Sequence, residues 1–107
     1  MEPSIELKLR KEIDKVLDDF DFEKVHKVME FLSWKIFIDK KMVLPNNSQL
    51  VKEARNILLE AGKRSIEHDE PYTVQTGPFK ASSYFDKEEN KFYLDLMFVV
   101  TDSSNWW

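Results

Sequence analysis

Side chains able to do chemistry gather in only a few places along this chain of 107 residues. His68-Asp69-Glu70 is the one compact run that combines an imidazole with carboxylates. A metal ion there would need ligands from elsewhere, because adjacent residues rarely converge on one ion and the other histidine, His26, lies far off in sequence. A solvated loop explains the run with fewer demands. Asp18-Asp19-Phe20-Asp21-Phe22-Glu23 collects carboxylates but lacks the D-x-[DN]-x-[DN]-G order and the glycine of a calcium loop. Asp21 is better placed as a helix cap. The pairs Ser82-Ser83 and Ser103-Ser104 have no G-x-S-x-G elbow around them. Two isolated glycines build no phosphate loop, and zero cysteines exclude disulfides, thiolate metal sites and cysteine nucleophiles. No catalytic residue, bound metal or cofactor is expected.

Binding is the remaining class of chemistry. Trp34-Lys35, Arg55, Lys80 and Tyr84 offer rings and cations of the kind that stack on a nucleotide, although core aromatics beside solvated cations explain them as well. Ser103-Ser104-Asn105-Trp106-Trp107 sets two tryptophans behind a polar hinge. Such rings either fold back on the domain or dock on another chain, where tryptophan is a frequent anchor. The binding surface expected from sequence comprises Trp34, Lys35, Thr76, Gly77, Phe79, Trp106 and Trp107.

The elements that must position these residues follow from hydrophobic periodicity. Ile5, Leu9, Ile13, Val16, Leu17 and Phe20 mark one face of a helix over about 3–19, with Pro3 in its first turn. Glu6–Arg10 and Lys8–Glu12 are its i,i+4 pairs. Asp21 caps a second helix over about 22–33, ended by Ser33 and Trp34, with Ile36-Phe37-Ile38 left as a short strand or loop. Asn46 and Gln49 have capping-box spacing for a third helix over about 47–61, ended by Gly62. After Pro71 the period becomes two. Strands are expected at about 72–76, 79–85 and 91–101, with DKEEN as the turn before the last and the even-numbered residues of 92–100 facing the helices. Gly77-Pro78 interrupts this region. A β-bulge carrying 72–85 through as one bent strand is the first reading, and a tight turn the second.

One α+β domain is expected, with three N-terminal helices packed on a small C-terminal antiparallel sheet. The charge is −4, with 16 basic residues interleaved among 20 acidic ones, which argues against a strong nucleic-acid footprint. No apolar run has membrane-spanning length and no signal segment opens the chain, so a cytoplasmic protein is expected, with no membrane partner. A short sheet has edges that need cover, which points to a homo-oligomer.

The runs FDFEKVHKVMEFLSW, LPNNSQLVKEARNILLEA, TVQTGPFKA and YLDLMFVV together resemble a group of small phage and prophage proteins, most of them uncharacterised. The resemblance covers about residues 20–100 and rests on Trp34, Pro45, Thr76, Gly77 and Phe79. Pro78 departs from it, since the relatives more often carry glycine there, and it removes an amide that could hold a ligand. The resemblance implies a non-catalytic counter-defence inhibitor acting in the host cytoplasm, by occluding a host protein or sequestering a signalling nucleotide. Its alternatives are an oligomerising accessory phage protein with no defence target, and a metal-dependent nuclease or phosphodiesterase using His68, Asp69 and Glu70.

Overall fold

A computed structural model describes residues 2–39 and 46–99, with backbone alone for 31–39. The order is α1 (Pro3–Asp19), α2 (Phe22–Asp39), α3 (Asn47–His68), then β1 (Tyr72–Thr76), β2 (Phe79–Asp86) and β3 (Lys91–Phe98). The strands form one antiparallel sheet in the order β1-β2-β3, so helices and sheet make an α+β arrangement. Lys35 and Trp34 lie on α2, but their side chains fall outside the described residues, as do Trp106 and Trp107 altogether.

Local chemistry marks each helix start, a first-turn proline in α1 and side-chain caps in α2 and α3. Pro3 occupies the first turn of α1. Asp21 accepts from the Lys24 N–H at 3.0 Å and so starts α2 straight after the extended residue Phe20. Asn46 and Gln49 close a reciprocal capping box at the start of α3, with distances of 2.9 and 2.8 Å. On α1, Glu6 pairs with Arg10 at 3.0 Å. Lys8 does not pair with Glu12; it donates to the Asn90 carbonyl at 3.3 Å while Glu12 takes Lys15.

Two helices run further than expected. α2 continues through Trp34 and Ile36-Phe37-Ile38 to Asp39. Val25, Met29, Leu32 and Ile36 keep helical spacing there, and no glycine or proline intervenes to stop it. α3 passes through Gly62 to His68. Gly62 packs closely on α1: a Cβ on it would lie 2.4 Å from one methyl carbon of Leu9 and 2.7 Å from the other. Asp69 ends α3 instead, in the left-handed region at φ 54°, its N–H bonded to the Ile66 carbonyl and the next N–H to Ser65.

Gly77-Pro78 is a tight turn and not the bulge. Thr76 stands opposite Phe79 and the register runs unbroken back to Tyr72 and Ser83. Gly77 has φ 60°, which glycine adopts without strain. Proline cannot follow with a second positive φ, so of the two primed hairpin turns only type II′ suits this pair.

The core lies on one face of the sheet. α3 lies across β1 and β2, α1 packs on β3 and on α3, and α2 packs on α3. Leu9, Ile13 and Leu17 from α1, Met29 from α2, Leu50, Leu58 and Ala61 from α3 and Phe79, Phe92 and Leu96 from the sheet are all buried. α2 reaches the sheet through its first residue, whose ring lies edge-on to Phe79 at 5.9 Å. Small residues bring α3 close to β2: Ser65 donates to the Gly62 carbonyl at 2.8 Å and shares a buried hydroxyl contact of 3.2 Å with Ser83.

Candidate functional site

Strand alternation that buries Phe79, Ala81 and Ser83 of β2 turns Lys80, Ser82 and Tyr84 to the opposite face. In β3 it buries Phe92 and Leu96 and exposes Tyr93, Asp95 and Met97. The register then builds three rows on the outer face. Gln75, Lys80 and Met97 form one, Thr73, Ser82 and Asp95 the next, and Tyr84 beside Tyr93 the third. Tyr84 is 42% exposed, Tyr93 47% and Met97 50%. No described helix lies on this face, since all three belong to the other.

The outer face is ordered by its own contacts. Thr73 and Ser82 join hydroxyls at 3.0 Å. The Tyr93 phenol donates to the Glu89 carboxylate, and the Lys91 ammonium stands 5.2 Å from the centre of its ring. The Glu89 carboxylate holds that phenol neutral and pushes its pKa above the ordinary tyrosine value. Glu89 and Lys91 together hold the Tyr93 side chain on the outer face. Glu89 in turn belongs to a turn built by Asp86, whose carboxylate accepts the N–H groups of Glu88 and Glu89 at 2.9 and 3.2 Å.

Chemically the face offers two tyrosine rings, a thioether, an ammonium, a carboxylate and hydroxyls, spread over a pleated surface. Those groups fit contact with another macromolecule, for which aromatic and methionine side chains are the enriched anchors.

Residues singled out from sequence lie in several places. Lys80 and Tyr84 sit on this outer face. Arg55 does not join them: it projects from the helix layer and pairs with Asp14 at 2.9 Å. Thr76 is exposed and Gly77 half-buried at the tight turn. Phe79 is 0% exposed and packs against Phe20 and Phe22, so it serves the core and not a surface. The His68-Asp69-Glu70 run is taken up by local structure. His68 stacks on Tyr72 at 5.6 Å, and the Asp69 carboxylate pairs with Lys87 at 3.1 Å. Among the described residues no group of three or more His, Cys, Asp or Glu could hold a metal ion, and no helix is long and apolar enough to cross a membrane.

Tyr93, Asp95 and Met97 escaped the sequence reading as site residues. Their signal was present: on a strand whose even positions carry the core, an outward tyrosine and methionine have no packing duty. A cleft of about 500 Å³ along α3, lined by Asn56, Leu59, Glu60, Lys63, Arg64 and Glu67, is bounded by one helix face and its Glu60–Arg64 ion pair. No family model, curated protein or solved structure matches this chain, so its own residues carry the functional argument.

Proposed function

We propose that this chain is a non-catalytic binding protein that docks a protein partner on the outer face of its sheet. The observation that carries this reading is the set of Tyr84, Tyr93 and Met97, each at least two-fifths exposed on one face of the sheet with no described helix over it. Isolated exposed apolar residues need no explanation, but a set of them on one ordered face marks an interaction site. Tyrosine supplies large contact area at small entropic cost, and Met97 adapts to an irregular partner. Asp95 lies in the row between the tyrosines and Met97, and Lys80 stands beside Met97, so polar groups are interspersed with the apolar ones. An open pleated face favours a protein over a small nucleotide, which needs concavity to bury most of its surface. The resemblance to phage proteins supplies the setting: occlusion of a host protein in the host cytoplasm.

Site-specific photo-cross-linking in the cell that makes the protein tests this. A benzophenone amino acid at position 93 should give one adduct of defined mass, whereas the same group at Glu60, on the helix layer, should give none. Matching adducts from both positions, or an adduct from position 60 alone, overturns the reading.

A further inference from the structure

Among the described residues β1 leaves one edge open. It stands first in the order β1-β2-β3, so no described strand lies beyond it. Edges are ordinarily guarded by charged side chains, proline or a bulge. Tyr72, Thr73, Val74, Gln75 and Thr76 include no charge and no proline, and their pairing with β2 has no bulge.

Hydrogen-bond phase decides which backbone groups face outward. The Val99 N–H donates to the Pro78 carbonyl at 2.8 Å. Bonded and non-bonded pairs alternate along an antiparallel ladder, so Lys80–Met97 is bonded and Phe79–Phe98 is not. Phe79 therefore directs its backbone groups to Thr76, closing the two-residue turn. Continued alternation bonds Val74 to Ala81 and Tyr72 to Ser83. The N–H and C=O of Thr73 and Gln75 are left pointing away from the sheet.

From this pattern we infer that β1 is the dimer edge of the protein, and that β1 of a second copy adds to it antiparallel about a twofold axis at Val74. This axis sets Thr73 opposite Gln75 of the second copy and Gln75 opposite its Thr73. Every outward N–H then meets an outward C=O, as an isologous contact requires. Centring the axis on Thr73 instead would bring Pro71, which has no N–H, opposite Gln75. Val74, half-buried on the helix side, meets its own counterpart and extends the core. The sheet becomes six-stranded, and the outer face carrying Tyr84, Tyr93 and Met97 is presented twice. The dimer uses the edge backbone groups of Thr73 and Gln75, whose side chains lie on that outer face, so self-association and the position-93 adduct read the two proposals apart.

Sedimentation equilibrium of the purified full chain over a concentration series tests the inference. Wild type should pass from monomer to dimer. Gln75→Pro removes an outward N–H without touching the bonds to β2, and should weaken association roughly tenfold while the far-UV spectrum, and the melting midpoint at dilutions where both proteins are monomeric, stay put. Thr73→Lys/Gln75→Lys and Thr73→Asp/Gln75→Asp should each be monomeric alone and dimerise when mixed, because positions 73 and 75 face each other. That charge pair decides the matter even if the proline variant unfolds. A monomer at every concentration, a dimer indifferent to these changes, or an edge that pairs only with an extended peptide of another protein overturns it.

Discussion

Gly62 sits inside α3 because Leu9 leaves no room for a side chain there. A mid-helix glycine costs about 1 kcal/mol relative to alanine, so Gly62→Ala should gain that amount if the space were free. Overpacking a filled core costs about 1–3 kcal/mol. We therefore expect Gly62→Ala to lower the melting midpoint, and Leu9→Ala to destabilise the Gly62→Ala protein less than the wild type. Additive losses would mean that the two residues do not meet. Tyr93 gives a second test at this scale. Its neutral phenol is favoured by the bond to Glu89, so its folded-state pKa lies above the unfolded value. The associated stability is present below the unfolded value, near pH 10, and is lost as pH rises through the raised one. Ultraviolet titration compared with Tyr93→Phe should assign a late ionisation to Tyr93, and Glu89→Ala should bring it back toward the ordinary value.

At the scale of the element, helix starts were readable, as was the end of α1 at Asp19, but the ends of α2 and α3 were not. Pro3, Asp21 and Asn46 each announce a helix by local chemistry that needs no tertiary partner. Those two ends depended on what lay across the interface. Gly62 looks like a stop until Leu9 is placed beside it, and Trp34 looks terminal until the stripe is followed past it. The Gly77-Pro78 turn was misread because the pairing partner of 72–76 decides between bulge and hairpin, and that pairing is not local. The two faces of β3 were legible, since alternation fixes them: Phe92 and Leu96 are buried while Tyr93 and Met97 are exposed. Leu96→Asp should thus unfold the protein, since a buried unpaired charge costs about 4 kcal/mol or more. Tyr93→Ser should leave the cooperative melt in place. Asn46→Ala should cost about 1 kcal/mol in chemical denaturation by removing one half of the capping box.

In the molecule as a whole, helices are committed to one side of a three-stranded sheet. Ser65 meets Ser83 where α3 lies on β2, Gly62 sets α3 against Leu9 of α1, and α1 packs on β3. The same alternation leaves Lys80, Tyr84, Tyr93, Asp95 and Met97 on the far side. The sequence exposes this site only in part: Lys80 and Tyr84 were singled out for stacking and charge, but their neighbours Tyr93 and Met97 come from another strand and join them through register alone. Residue types announce a candidate; register assembles the site. Footprinting by mild tyrosine nitration, read peptide by peptide, tests the outer face as the docking surface most directly. Tyr84 and Tyr93 should both be modified in the purified protein and both be protected in its native cellular complex. Equal modification of both tyrosines in the two states would contradict it.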